Sequence, residues 1–357
     1  MKVYKENLSI QIKSNGVLNH SFFLSVPTVF KFVFLGFLLL FSCISAICLG
    51  NIDISIQDVI AAIFPFAKPS DSVHEIILSQ VRFPRVLSAI FAGTGLSVAG
   101  LVLQTLLNNT LAAPEIIGIN SGAGLGVVLL FSLLPGQFLL APFATFLGAF
   151  VACLLIAILS YHAYVSKTTI LFAGIAISSI LNSFSNLLLL LNPNIAVDSQ
   201  SFMLGSLSGI RMNHRLYLPL LLILISLIVI ILFCRYLNAL SLGDTIASSL
   251  GIRVPLVRIC FLILCASLAG SVVSFAGLLG FVGLIVPHIA RRFVGDNIKL
   301  LIPYTAMLGS FFVVSSDLIG RLLFSPYEVP VGIIMSFLGC PYFIYLLIRQ
   351  KGAGLYA

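Results

Sequence analysis

Ten apolar runs, each long enough to cross or nearly cross a bilayer, dictate what this chain can become. They cover residues 29–50, 84–107, 116–134, 142–162, 170–191, 216–236, 256–275, 279–294, 300–323 and 331–348. A helix of about 20 apolar residues matches the ~30 Å hydrocarbon core of a membrane. Lipid offers no hydrogen bonds, so each run has to satisfy its own backbone and is expected to be helical. Only 8% of the 357 residues are charged, against about 25% in soluble domains. The expectation is an all-α integral membrane protein of about ten transmembrane helices. Residues 1–28 form its cytoplasmic N-terminal segment and 29–357 a single transmembrane domain, with no room for a soluble catalytic one.

Lys and Arg outnumber Asp and Glu by 19 to 11, and basic residues collect on the cytoplasmic side of membrane proteins. An N-in, C-in arrangement puts thirteen basic residues inside and leaves Lys68, Arg82, Arg85, Arg211, Arg215 and Arg321 outside. The net charge of +8 is thus assigned to membrane orientation and not to nucleic acid. Seven cysteines form no CxxC pair and have no histidine at ligand spacing, so neither a metal nor a cofactor is expected. The absence of a GxxxxGK loop excludes nucleotide hydrolysis by the chain itself. No His/Asp/Glu or Cys/His cluster falls within an apolar run, so an enzyme is not expected. Acids are scarce there too, which argues against a proton-driven carrier, since such a carrier needs a buried acid.

Several local patterns stand out against this background. In GLLGFVGLIVPHIARRFVGDN (277–297), Gly277, Gly280 and Gly283 recur every three residues. They are expected to clear one helix face for close packing, with Pro287 removing a backbone donor and kinking the helix. His288 reads as a packed side chain. Arg82 and Arg85 flank Pro84 at the start of the second run, and Arg321 stands four residues after Asp317. They are either headgroup anchors with a local ion pair or a docking surface for an acidic partner. The loop Asn108-Asn109-Thr110-Leu111-Ala112-Ala113-Pro114 carries amide dipoles and a leucine suited to closing a pore. Ser178, Asn182, Ser185 and Asn186 fall on one helical stripe, which either joins helices or lines a path; Gln104 reads as polar glue. Residues 240–258 read as two short amphipathic helices bent at Gly251, and an apolar piece at 201–210 as a short rim helix.

GFVGLIVPHIARRFVGDN resembles the signature of permease subunits of ABC importers for iron chelates (siderophores, haem) and vitamin B12. RFPRVLSAIFAGTGLSVAGLVLQTLLNNTLAAPEIIGINSGAG (82–124), DLIGRLL (317–323) and EVPVGIIMSFLGCPYFIYLL (328–347) are similar to that family's other blocks, in the same order. The resemblance covers about 300 residues and implies a type II ABC importer permease fold, with no catalytic role.

It further implies that Arg82, Arg85 and Arg321 receive acids of a periplasmic or lipid-anchored substrate-binding protein. Asn109, Leu111, Lys167 and Thr168 would gate the cytoplasmic side, although the family carries proline where this chain has Thr110 and small hydroxyl residues where it has Lys167. Ser178, Asn182 and Asn186 would line the pathway between two permease copies. Asp244, Ala247 and Gly251, within a coupling loop at about 238–256, would contact the ATPase. The implied function is uptake of an iron(III) chelate by alternating access, in a cell membrane, with a second permease copy and two ATP-binding cassette subunits. A cobalamin importer and, more remotely, an ion-gradient-driven carrier are the alternatives.

Overall fold

A computed structural model describes residues 27–50, 52–63, 72–161, 167–212, 214–323 and 325–351. Most of the expected N-terminal segment lies outside the described residues. Each of the ten apolar runs is mostly helical, and among the described residues there is no β-strand. The long helix α1 (Thr28–Cys48) is followed by two short ones, α2 (Ile56–Ile63) and α3 (Ser72–Ile77). A π-turn at Leu78–Arg82 then leads without a break into α4 (Phe83–Leu107). Next come α5 (Ile119–Leu133), α6 (Ala141–Tyr161), α7 (Lys167–Leu191), the short α8 (Ala196–Met203) and α9 (His214–Leu232). Two short helices, α10 (Cys234–Ser241) and α11 (Asp244–Ser249), precede α12 (Val254–Ala276). The chain closes with α13 (Val282–Val294), α14 (Ile298–Leu322) and α15 (Val331–Lys351).

Among the described residues, five helical stretches are long and apolar enough to cross a membrane unaided: α1, Val73–Leu107, the greater part of α7, α12 and α14. α9 and α10 together make a sixth, bent by 61° at Phe233. The short rim helix is α8, which ends at Met203 and so lies earlier in the chain than 201–210.

α4 is the axis of the bundle. It is buried along nearly its whole length and packs against α12, α13 and α14. Apolar side chains gain nothing from meeting each other in lipid, so helices there associate through backbone proximity, dispersion and hydrogen bonds. Small residues supply the proximity. A Cβ placed on Gly93 would stand 2.2 Å from the Gly309 carbonyl oxygen of α14, and one on Gly100 would stand 1.9 Å from the Gly283 carbonyl oxygen of α13. Gly122 of α5 meets Gly148 of α6 in the same way, at 2.3 Å. Between these contacts, Ser97 Oγ donates to the Thr305 carbonyl at 3.0 Å and Ser310 Oγ to that of Ile90 at 3.0 Å.

The expected glycine face at 277–283 does not form. Gly277 and Gly280 lie in an irregular segment before α13, and only Gly283 packs in a helix. Gly277 takes φ +70°, and a Cβ there would come within 2.3 Å of the Phe202 carbonyl oxygen; Gly280 has open space around it. α13 has 13 residues, a rise of about 20 Å, so it covers only part of a bilayer. Pro287 is buried within α13, which continues through it to Val294.

Gly100→Val should therefore force α4 from α13 and destabilise the fold by at least the ~1–3 kcal/mol of an overpacked core. Gly280→Ala should leave it unchanged. Thermal unfolding of the two purified variants in detergent checks the contrast.

Candidate functional site

At the end of the bundle where α1 finishes and α4 begins, three arginines are drawn together. The π-turn aims Arg82 at α1, whose last carbonyls have no partner within their helix. Arg82 donates to the carbonyls of Ile47, Cys48 and Ile52, the Cys48 bond being 2.7 Å long. Arg321, in the last turn of α14, donates to the carbonyls of Ala46 at 2.9 Å and Leu49 at 3.4 Å. Two cations thus sit at the negative end of the α1 dipole.

Arg85, one turn into α4, reaches the opposite way. Its Nε and Nη2 grip the Asp317 carboxylate at 2.9–3.1 Å, and its Nη1 donates to Glu328 Oε2 at 2.8 Å. Arg321 Nε lies 3.3 Å from Asp317 Oδ2. All three arginines and Asp317 are buried, whereas the Glu328 side chain is 34% exposed. The guanidinium groups are therefore folded inward and engaged, not held free at a surface. The role of Glu328 was not visible in the sequence, where it is simply the first residue of a turn.

A second constellation surrounds the start of α13. The irregular segment before that helix needs hydrogen-bond partners at membrane depth. Leu278 N donates to the Phe202 carbonyl at 3.3 Å, and Ser206 N to that of Ala276 at 2.9 Å. Phe281, with φ +66° at the N-cap of α13, donates its amide to Glu115 Oε1 at 3.0 Å. Glu115 comes from the segment between α4 and α5, which contains the expected gate residues. There Asn109 Oδ1 accepts the Leu111 amide at 2.8 Å, so Asn109 shapes its own turn, and both side chains are half-buried. Gln104 ties α4 to α13: its Nε2 donates to the carbonyls of Gly283 and Leu284, and its Oε1 accepts from Arg291 at 3.0 Å. At the far end of α13, Lys31 of α1 donates to the Phe293 carbonyl at 2.8 Å. Lys167 and Thr168 open α7, but their side chains lie outside the described residues.

α7 separates the expected polar stripe into two faces. Ser178 and Ser185 turn inward and bond to the Gly174 and Leu181 carbonyls of their own helix at 2.8 and 3.0 Å. Asn182 and Asn186 are exposed, and Ser179 and Ser183 share their side. The exposed set follows i, i+3, i+4, i+7 spacing. Ser178 therefore lies off the exposed face, which takes in Ser179 and Ser183.

The segment between α9 and α12 folds as a hairpin of short helices, α10 and α11. It bends at Gly243 (φ +110°), between α10 and α11, and again at Gly251 (φ +79°), in the turn between α11 and α12. Asp244 pairs with Arg258 of α12 at 2.7 Å. Ala247 is fully buried and cannot present a contact surface. The exposed apolar side chains are Leu242, Ile246 and Leu250, 46–64% accessible. Of the contact residues implied by the resemblance, Ala247 thus faces inward, while Ile246 next to it faces out.

Removing a charge from the arginine cluster should expose its balance. Asp317→Ala leaves two buried guanidinium groups without their shared carboxylate, which costs about 3–5 kcal/mol. Glu328→Gln, at the solvated edge, should cost about 1 kcal/mol or less. Thermal unfolding in detergent distinguishes them.

Comparison with known proteins agrees with this architecture. Residues 38–349 match the FecCD transport family. The chain is 35% identical over 281 residues to the Fe(3+)-citrate import system permease protein YfmE of Bacillus subtilis, covering 78% of this chain and 83% of that protein. It is 37% identical over 290 residues to the iron(3+)-hydroxamate import system permease protein FhuG of the same organism, covering 78% and 85%. A solved metal-chelate type ABC transporter in an inward-facing conformation superposes with a TM-score of 0.78 at 26% identity, covering 89% of this chain and 99% of that one. With its bundle of apolar helices and a match that runs over most of its length, this multi-pass membrane protein belongs to the FecCD transport family.

Proposed function

We propose that this chain is the permease subunit of an ATP-driven, binding-protein-dependent importer that carries an iron(III) chelate across the cell membrane. The observation that carries the transport reading is the exposed polar face of α7. Ser179 bonds back to the Ile175 carbonyl at 2.9 Å, but the two amides and the Ser183 hydroxyl facing hydrocarbon would be left without partners, at a cost of roughly 1–3 kcal/mol each, so the face belongs against a second permease copy around a wet pathway. Ser179, Asn182, Ser183 and Asn186 line that pathway. The iron chelate is favoured over cobalamin by the cargoes named for the relatives, ferric citrate and ferric hydroxamate.

Energy comes from two partner ATPases. Leu242, Ile246 and Leu250, exposed on a hairpin at the end where N-in orientation places the cytoplasm, form an apolar knob suited to a cleft in such a partner; Asp244 braces the knob through Arg258. Asn109, Leu111, Lys167 and Thr168 gate the same side. At the opposite end, an acid of the substrate-binding protein docks by taking the place of Glu328 on Arg85, while Arg82 and Arg321 hold the platform through α1. The three guanidinium groups outnumber Asp317 and Glu328 by one charge, so an incoming carboxylate is attracted.

Purifying the tagged chain in mild detergent should recover an ATPase at equal stoichiometry, together with a binding protein. Recovery alone, with vesicles that move solute on an ion gradient, would overturn the proposal. Ile246→Glu should leave membrane insertion intact and lower ATP-dependent uptake by about tenfold or more, the effect of a charge at an interface anchor. Uptake at the unaltered rate would remove the hairpin from energy coupling.

A further inference from the structure

The 61° bend between α9 and α10 opens a cleft of about 460 Å³ against the first half of α12. Its walls include Val229, Phe233, Tyr236, Leu256, Cys260 and Leu264. Phe233 and Tyr236 stack obliquely at its mouth, with ring centroids 5.9 Å apart. The cleft is almost wholly apolar and open along its side, with Leu256 and Phe233 about half exposed.

This is the end of the bundle where Lys31 meets Phe293 and where Asn238 of α10 accepts the Ile298 amide that begins α14. An aromatic pair at such a level is typical of a membrane–water boundary.

Two arginines stand next to wall residues in the chain. Arg235 stands on α10 between the wall residues Phe233 and Tyr236, and Arg253 is the N-cap of α12, three residues before Leu256. Both are exposed, and neither forms an ion pair or side-chain hydrogen bond among the described residues. Arg258, in the first turns of α12, is committed to Asp244. An apolar slot with an aromatic pair in its wall and two exposed cations adjoining its wall residues has the complement of a lipid with an acyl chain and an anionic phosphate.

We propose that this cleft binds an anionic phospholipid, its acyl chain lying between α9 and α12 and its phosphate held by Arg235 and Arg253. The bound lipid fills the void left by the helix break and braces the base of the α10–α11 hairpin. A neutral lipid supplies the chain but has no net charge for the arginines to hold. A partner protein would have to insert a side chain into a slot that faces hydrocarbon. The proposal does not depend on the cargo.

The chain contains no Trp, so a single introduced one reports locally. Cys260→Trp places the probe in the cleft wall, and Val33→Trp places a reference on the exposed face of α1; Leu256→Trp serves as a second cleft probe should Cys260→Trp fold poorly. The variants are reconstituted in phosphatidylcholine vesicles that carry a minor fraction of bromine-labelled phosphatidylglycerol or bromine-labelled phosphatidylcholine.

At the cleft probe, labelled phosphatidylglycerol should reach a given quenching at about one-fifth or less of the fraction that labelled phosphatidylcholine requires, since one basic residue near a headgroup gives about fivefold enrichment. At Val33→Trp the two lipids should quench alike. Adding Arg235→Gln and Arg253→Gln should equalise them at the cleft probe as well. Equal quenching by the two lipids at the cleft probe overturns the proposal in favour of unselective solvation. Absence of quenching by either overturns it in favour of a cleft covered by protein.

Discussion

The contact between α4 and α13 at Gly100 and Gly283 governs much else in this molecule. A backbone carbonyl lies where a side chain would otherwise start, so the two helices sit closer than any pair bearing Cβ atoms would allow. That proximity brings Gln104 within reach of the first carbonyls of α13 and of Arg291. It also sets Pro114 against Gly283, which positions Glu115 to receive the Phe281 amide. Once these bonds exist, a helix of 13 residues can begin inside the membrane without orphaned donors. The interrupted helix is thus a consequence of close packing around α4.

Charge is handled with the same economy at the end where α1 finishes. Asp317 is the buried acid of that cluster, and it serves Arg85 and Arg321 together. Arg82 and the remaining donors of Arg321 spend themselves on the last carbonyls of α1, joining a helix at the edge of the bundle to its axis. Glu328, being partly solvated, is the member that can leave without exposing a buried charge. This asymmetry separates the groups that maintain the platform from the one that can be exchanged.

The helices were legible because membrane solvation imposes one rule on every span: an apolar run must be helical. Where a run contains both helix and irregular backbone the rule is silent, and residues 277–281 look as apolar as those that follow. The spacing of Gly277, Gly280 and Gly283 therefore suggested a helix face, although the close contact at Gly277 is made by a backbone with φ +70°. Periodicity found the polar side of α7 but not which serines would satisfy themselves on their own helix. On α11, six residues are too few for periodicity to fix the inward side, so nothing local could correct the resemblance that placed Ala247 at a contact or point to the exposed Ile246. Arg321 and Asp317 were legible as a pair from their i, i+4 spacing, but the acids that hold Arg85 came from sequence separations of more than 200 residues, beyond any local pattern.

The account rests on transport of a ferric chelate driven by ATP through a pathway this chain helps to form. The most direct measurement is uptake of radioactive iron, presented as ferric citrate or a ferric hydroxamate with the cognate binding protein, into vesicles that contain the purified permease and its ATPase. Accumulation that requires internal or external ATP on the ATPase side, persists when ion gradients are abolished, and stops when ATP hydrolysis is blocked is the predicted result. Accumulation that follows an ion gradient and ignores ATP would contradict the account.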